Sequence, residues 1–228
     1  MKYCIVSFSD YAVVKKLTEL GYFCYNVISS ERVSSPISCH SDVLYQKTGC
    51  NTLTVSSCQK GNLPLLNQLG YKIELCDDLS QGYRTESLLN YIVNDKYIIY
   101  NPKTAHPQPG NKKEIKVKQG YTRCSTVCVC DNAYITEDEG IYRTLSEQGI
   151  DCLKIEKGNV RLDGYNYGFI GGACVKLNDD EILFFGDFEN QSEKEKVISF
   201  MEKHNVKPIF MENKKLNDIG SALILNKI

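Results

Sequence analysis

One cysteine, one histidine and two aspartates have the residue types needed for covalent catalysis. Cys124 follows Arg123 in a polar stretch, and His40 and Asp42 form a His-x-Asp pattern much earlier in the chain. Asp218 lies in a third polar stretch near the C-terminus. A thiolate is a nucleophile, an imidazole moves protons near neutral pH, and a carboxylate binds cationic nitrogen groups. We therefore expect chemistry in which a cysteine attacks a polar substrate.

In this functional interpretation, each residue has a role. Arg123 and a nearby histidine would depress the pKa of Cys124 and raise its thiolate fraction. Asp42 would bind a cationic nitrogen group through charge-assisted hydrogen bonds. The predicted catalytic residues are Cys124, His40 and Asp218, and the predicted substrate-binding residues are Asp42, Arg123 and Glu86.

The same residues also have structural interpretations. Cys124 can be a packing cysteine at a strand edge, because free cysteine often behaves as a small hydrophobic residue. His40 can cap a backbone group, and Asp42 can be a turn residue. Glu86 can simply pair with Arg84 at the surface. The residue types alone leave both interpretations open.

The composition narrows the class of protein. The 228 residues are 42% hydrophobic and 24% charged, with a formal net charge of −1. This is typical of a globular domain and offers no electrostatic basis for binding nucleic acid or an anionic membrane. We expect no transmembrane segment and no signal peptide. The odd number of cysteines, 11, argues against a disulfide framework and favours a reducing cytoplasm.

A recurring pattern of helix, glycine and apolar strand organises the chain. Gly21, Gly70 and Gly149 each follow a predicted helix, and Asn205 takes the same place after a fourth. Glycine or asparagine directly after a helix indicates a left-handed C-cap. The four predicted helices are 11–20, 65–69, 141–148 and 193–204.

Pairs of short strands are predicted around these helices, which makes each unit β-β-α-β. The pair 89–93 and 97–100 is followed by a proline-rich stretch instead of a helix, so this third unit is degenerate. The first helix has one preceding strand, 3–8, and its missing partner is the C-terminal strand 221–225. The other predicted strands are 43–47, 52–56, 114–118, 126–130, 133–136, 150–155, 173–177, 181–185 and 206–211.

Five such units, one of them closed by both termini, predict a single α/β domain over residues 1–228 that forms a closed, propeller-like ring. The alternative is an α/β sandwich with coincidental recurrences. In a ring, the stretches that precede the first strand of each unit approach the central axis. These five lead-in segments are 38–42, 84–87, 121–124, 168–172 and 217–221.

This arrangement resembles the pentein fold of guanidino-group-modifying enzymes, which include deiminases, dimethylarginine hydrolases and amidinotransferases. His40-Ser41-Asp42 resembles the His-x-Asp motif of those enzymes, and Cys124 lies two units later, as their nucleophile does. Asp218 occupies the place of their Glu-Gly-Gly motif. The chain departs from the deiminases because Arg123, rather than histidine, precedes Cys124 and no glycine run does. As a whole, the sequence is most similar to an uncharacterised pentein-like family of Gram-positive bacteria.

The resemblance implies a cysteine-dependent hydrolase or amidinotransferase acting on a guanidine or amidine, with His40 as general acid and base. It implies a small guanidine-like substrate and no cofactor. We predict no metal site either, because no matching Cys-x-x-Cys pair accompanies Cys124, Cys128 and Cys130. The alternative is a non-catalytic pentein that binds a small molecule or protein.

Overall fold

The computed structural model describes all residues from Met1 to Ile228, which form a mixed α/β fold with five three-stranded sheets. In every sheet the first strand is antiparallel to the second and the second is parallel to the third. The strands are β1 Lys2–Val6, β2 Tyr22–Asn26, β3 Tyr45–Lys47, β4 Thr52–Ser56, β5 Lys72–Cys76, β6 Ile92–Val93, β7 Tyr97–Tyr100, β8 Lys113–Lys116, β9 Thr126–Cys130, β10 Ala133–Thr136, β11 Asp151–Lys154, β12 Cys174–Asn178, β13 Glu181–Phe184, β14 Lys207–Phe210 and β15 Ala222–Leu225.

Four helices connect the second and third strands of their sheets, and two single-turn helices lie in lead-in segments. The α-helices are α1 Tyr11–Glu19, α2 Ser41–Leu44, α3 Leu63–Gln68, α4 Tyr83–Glu86, α5 Glu139–Glu147 and α6 Gln191–Lys203. Two 3₁₀ helices span Ser35–Ile37 and Ser57–Asn62. None of the helices has the length and apolar character needed to cross a membrane.

The two ends of the chain meet in one sheet, as predicted. Strand β15 pairs antiparallel with β1, with Tyr3 opposite Leu225 and Val6 opposite Ala222. Strand β1 then pairs in parallel with β2. The C-terminal strand therefore supplies the strand that the first unit lacks.

The predicted helix caps and the degenerate unit are also present. Gly21, Gly70 and Gly149 have φ values of 85°, 90° and 71°, and Asn205 has a φ of 58°. These left-handed conformations end the helices and turn the chain into the next strand. No helix connects β7 to β8, because prolines in this stretch lack the N–H that a helix interior requires.

One predicted strand is partly helical. The segment 43–47 was expected to be a strand, but Val43 and Leu44 belong to α2, and only Tyr45–Lys47 is extended. The N–H groups of Val43 and Leu44 both donate to the carbonyl of His40, so the chain coils just after this residue. A short apolar run does not distinguish a buried helical turn from a buried strand.

The cysteines are all free, and most are only partly buried. Cys4, Cys124 and Cys174 are buried, whereas Cys24, Cys76 and Cys152 are half-buried in strands. The Sγ atoms of Cys4 and Cys24, which face each other on β1 and β2, are 3.4 Å apart.

The pairing of the termini predicts that β15 carries a full share of the stability. Leu225 is completely buried, so Leu225→Ala should lower the free energy of unfolding by about 2 to 5 kcal/mol, because it leaves a core cavity. Leu75→Ala is the matched control: Leu75 is 49% exposed on β5, and its loss should cost less than about 1 kcal/mol. Urea unfolding measures both. Equal, small effects would show that the terminal strand is dispensable.

Candidate active site

Three lead-in segments bring the predicted catalytic residues into one buried cluster. The Sγ of Cys124 donates a hydrogen bond to Oδ2 of Asp42 at 3.0 Å. The Nδ1 of His40 lies 3.9 Å from Oδ1 of Asp42 and 3.7 Å from Oδ1 of Asp218. All four residues are at most 4% exposed. We call them the Cys-His-Asp cluster. It contains two carboxyl groups, one imidazole and one thiol.

Glycines make room for the Asp218 carboxyl group and the His40 ring. The carboxyl group of Asp218 accepts hydrogen bonds from the backbone N–H groups of Phe169 at 2.9 Å and Gly220 at 3.0 Å. A Cβ on Gly172 would overlap this carboxyl group, and a Cβ on Gly220 would overlap His40. Gly220 also has a φ of 76°, which favours glycine. The glycine-rich lead-in segments are therefore spacers for the cluster as well as turns.

A short helix positions the other aspartate. The N–H of Asp42 donates to the carbonyl of Gly220, and the hydroxyl of Ser41 donates to the same carbonyl at 2.8 Å. These bonds join α2 to the lead-in segment that carries Asp218. One oxygen of Asp42, Oδ1, is buried and has no hydrogen-bond partner. An unsatisfied buried carboxyl oxygen is costly unless a ligand or a proton satisfies it.

Asn90 is a member of the site that the sequence analysis missed. Its Nδ2 donates to Sγ of Cys124 at 2.8 Å and to the carbonyl of Asp42 at 2.9 Å. Its Oδ1 accepts from the N–H groups of Arg123 at 2.9 Å and Cys124 at 3.0 Å. Asn90 is completely buried within an otherwise apolar stretch of sequence. That contrast was an available signal, because a buried polar residue is more informative than an exposed one.

Glu137 is a second residue that was missed. It is 3% exposed, and the N–H of Ile170 reaches its two carboxyl oxygens at 3.2 and 3.3 Å. Burial raises its pKa well above the usual value. The preceding N–H group, that of Phe169, donates to Asp218. Two consecutive backbone N–H groups therefore donate hydrogen bonds to two different carboxyl groups.

The two remaining predicted residues lie outside the cluster. The guanidinium of Arg123 donates to the carbonyl of Tyr45 at 3.0 Å and lines a channel of about 560 Å³. No member of the Cys-His-Asp cluster lines this channel. Glu86 accepts hydrogen bonds from the hydroxyl of Tyr121 at 2.5 Å and from the N–H and hydroxyl of Ser34 at 3.0 and 2.8 Å. Substrate binding by Arg123 and Glu86 stays a prediction.

The expected activation of Cys124 is wrong for the protein without a ligand. Burial raises the pKa of the Cys124 thiol well above its usual value, and the charges of Asp42 and Asp218 raise it further. Arg123 does not reverse this rise in pKa, because its guanidinium donates a hydrogen bond to the carbonyl of Tyr45 and not to Sγ. The thiol is therefore neutral and donates a hydrogen bond to Asp42.

Burial also sets the protonation of the other groups. It lowers the pKa of His40, so the imidazole is neutral at pH 7 despite Asp42 nearby. It raises the pKa of Asp42, and the charge of Asp218 adds to this, while His40 and Arg123 oppose it. The pKa of Asp218 is raised by burial to about 6, although two backbone N–H groups favour its charged form. No set of three or more His, Cys, Asp or Glu side chains is arranged to hold a metal ion.

The fold of this chain matches the pentein fold of several solved structures. An amidinotransferase of saxitoxin biosynthesis from Microseira wollei superposes with a TM-score of 0.58 at 8% identity, covering 95% of this chain and 79% of that one. Inosamine-phosphate amidinotransferase from Streptomyces griseus gives a TM-score of 0.58 at 11% identity, with the same coverage. A mutant of DDAH from Pseudomonas aeruginosa, complexed with citrulline, gives 0.56 at 9% identity and 98% coverage of both chains.

The family follows from the sequence itself. The model of the family of unknown function DUF6873 matches residues 5–223, so the chain belongs to this family. No curated protein matches the sequence significantly. At identities of 8 to 11%, the structural matches establish a common fold, and the chemistry must be argued from this chain's own residues.

The surroundings of Cys24 and Cys124 predict which of these two thiols reacts first without a ligand. The pKa of Cys24 is lowered to about 7, chiefly by the hydrogen bond from Cys4, whereas that of Cys124 is raised. Iodoacetamide at pH 7.5 should therefore label half-buried Cys24 before Cys124, because the thiolate is the reacting form. Peptide mass spectrometry over a time course measures this order. Faster labelling of Cys124 would contradict the neutral, buried thiol.

The buried carboxyl of Asp218 predicts a pH-dependent effect of Asp218→Asn. A folded-state pKa of about 6, against 3.8 in the unfolded chain, means that the wild type loses stability as the pH rises through the interval between these two values, because the unfolded chain releases this proton first. The loss continues above pH 5 and is complete by pH 8. The amide cannot ionise. The stability of Asp218→Asn relative to wild type should therefore rise by about 1 to 2 kcal/mol from pH 5 to pH 8.

Urea unfolding at both pH values measures this change. Asp10→Asn is the matched control, because the pKa of Asp10 is lowered where it pairs with Lys214. That variant should not gain stability relative to wild type over the same range. A pH-independent effect of Asp218→Asn would contradict the raised pKa.

Proposed function

We propose that this protein is a cysteine-dependent enzyme that acts on a guanidine or amidine group. The observation that carries the proposal is the surroundings of Cys124. Its Sγ donates a hydrogen bond to Oδ2 of Asp42. The other oxygen of this carboxyl group, Oδ1, has no hydrogen-bond partner and lies beside His40. A nucleophile, a proton carrier and an unsatisfied acceptor thus occupy one site. A planar cation with several N–H donors matches this set of groups.

The charge of such a substrate would also activate the thiol. Asp42 and Asp218 are two of the causes that raise the pKa of Cys124. A cation held between them would offset both negative charges at a short distance in a site with little water. Opposite charge favours ionised carboxylates and removes their penalty on the thiolate. The substrate itself therefore favours the reactive form of Cys124, and unreactive thiol is expected in its absence.

The proposed reaction has two steps. Asp42 and Asp218 hold the substrate nitrogens while Sγ attacks the guanidinium carbon and the carbon–nitrogen bond to the leaving group breaks. The thiol proton passes along its bond to Asp42 and reaches the leaving nitrogen through neutral His40, so that ammonia or an amine departs. Water or a second amine then attacks the carbon bound to Sγ and loses a proton to His40. The carbon–sulfur bond breaks, and the leaving sulfur takes a proton back from His40, which restores the thiol. A guanidinium product keeps its remaining proton, whereas a urea product releases it to the solvent. Water makes the enzyme a hydrolase, and an amine makes it an amidinotransferase.

Access to the cluster would require local movement. Tyr121 and Phe169, with ring centroids 6.2 Å apart, pack against the apolar cluster that contains Cys124. Partly exposed Tyr83 and Tyr167 contact these two rings in edge-on geometry, at 5.7 and 6.4 Å. This row of aromatic side chains runs from the surface towards the site. We place the substrate path here, because the flanking segments are lead-in loops instead of strands.

A second candidate function is a binding module with the same fold. The observation that favours it is the complete burial of Cys124 together with its raised pKa, which suits a structural thiol as well as a resting nucleophile. In this case Asp42 and Asp218 would bind a cationic ligand without turnover. The net charge of −1 does not favour RNA as the partner.

We also propose that the five sheets stand around one axis as a single closed ring. The convergence of His40, Cys124 and Asp218 from three separate units supports this arrangement, as does the pairing of β15 with β1. In a ring the lead-in segments face the same axis, so residues far apart in sequence meet without long loops. The 560 Å³ channel, lined by residues from several first strands, lies along the same axis in this view.

Calorimetry together with an ammonia assay tests the function. Agmatine and arginine are titrated into the wild type, Asp42→Asn and Cys124→Ser. Asp42→Asn should weaken binding by about 1 to 3 kcal/mol, because it removes a charged acceptor. Cys124→Ser should bind almost normally but abolish the release of ammonia, since the thiol acts only in the bond-making step.

The controls separate the two candidate functions. Asp10→Asn makes the same substitution at a carboxylate paired with Lys214, and it should leave ligand binding unchanged. A binding module would show weaker binding in Asp42→Asn and no turnover in any form. If no guanidine compound binds at millimolar concentration, a guanidine-directed enzyme and a guanidine-binding module are both wrong.

A further inference from the structure

The side chain of Asn90 uses its full hydrogen-bonding capacity at the nucleophile. A primary amide has two N–H donors and a carbonyl with two acceptor sites. Both donors are used, one on Sγ of Cys124 and one on the carbonyl of Asp42. Both acceptor sites are used by the N–H groups of Arg123 and Cys124. This pattern also determines the orientation of the amide, since only Nδ2 can donate to Sγ and a carbonyl.

No neighbouring group could replace this donor. The charged or titratable groups around Cys124 are Asp42 and Asp218, with Tyr121 nearby and neutral His40 beyond Asp42. Two of these are carboxyl groups, which oppose a negative charge on sulfur. Arg123 is adjacent in sequence, but its guanidinium is bonded to Tyr45. Asn90 therefore makes the one favourable polar contact that a thiolate at position 124 would keep.

We propose that Asn90 is a catalytic residue whose Nδ2 stabilises the thiolate of Cys124 when the thiol transfers its proton to Asp42. In the resting state Sγ both receives the Asn90 bond and donates to Asp42 at 3.0 Å. Proton transfer along this second bond leaves a negative charge on sulfur and a neutral carboxyl group on Asp42. The Asn90 bond is then charge-assisted and stronger.

The inference deepens the proposed function, because it rests on Cys124 as the nucleophile. It also assigns a second consequence to the same amide. By holding two consecutive N–H groups, those of Arg123 and Cys124, Asn90 determines where Sγ lies relative to Asp42. A residue that acts only as a support would shape the loop without affecting the charge on sulfur. The two roles predict opposite effects on thiol reactivity.

The test is the alkylation rate of Cys124 in Asn90→Asp, followed without any substrate. Aspartate keeps an oxygen for the two backbone N–H groups but loses both donors. The Cys124 rate with iodoacetamide at pH 8.5 should fall by at least about 10- to 100-fold, because a thiolate loses one hydrogen bond and also gains a carboxylate beside it. Cys174, another buried thiol, is measured in the same molecules and should not change. The same pair of proteins, with and without Asn90→Asp, is then compared when both also carry Asp42→Asn. Loss of the Asp42 charge should speed Cys124 labelling, so that a decrease caused by Asn90→Asp can be measured.

A matched variant and the opposite result complete the test. Asn62→Asp also removes two donated hydrogen bonds from a buried asparagine, to Asn26 and Tyr45, but it does not contact Cys124. It should leave the Cys124 rate unchanged. If Asn90→Asp leaves the rate unchanged, or raises it because the loop loosens, Asn90 is only a structural residue. Because no guanidine is present, this result is separate from failure of the proposed function, which calorimetry detects.

Discussion

The burial of two carboxyl groups beside a thiol is the constraint on which the rest of this site depends. A buried carboxylate is costly unless hydrogen bonds or a cation compensate for the water it has lost. Asp218 is compensated by two backbone N–H groups, and Gly172 and Gly220 provide the space that this arrangement requires. Asp42 is compensated on one oxygen only, by Cys124. The two aspartates therefore differ in their hydrogen bonding, although both lie beside His40.

This constraint links stability to function. The free protein holds a neutral thiol, a neutral imidazole and carboxyl groups with raised pKa values, which is the least costly state for a buried cluster. A cationic substrate would change the balance, because it favours both carboxylates at once. In the proposed function, the reactive state thus forms only when the substrate is present.

The comparison with known structures separates what the fold provides from what the site provides. Two amidinotransferases and DDAH share the fold at 8 to 11% identity. At such low identities the common part is the fold alone. In this chain, the Asn90 amide and the buried Glu137 lie in loops just outside the lead-in segments, between α4 and β6 and between β10 and α5. Chemistry in such a fold is therefore a property of its loops.

The sequence by itself determined the repeated units, their helix caps and the pairing of the two termini. These features are local or periodic: glycine after a helix, alternation in a strand, and one strand missing at one end and present at the other. It also indicated Cys124, His40, Asp42 and Asp218 as one set of candidate site residues, partly through a family resemblance.

Only the tertiary structure decided how these residues interact. The protonation of Cys124 was predicted with the wrong sign because desolvation depends on burial, which has no local signature. Asn90 and Glu137 were missed for a related reason, since their partners lie 33 to 48 residues away in the chain. The strand expected at Val43 became a helical turn because long-range bonds to Gly220 set the local backbone.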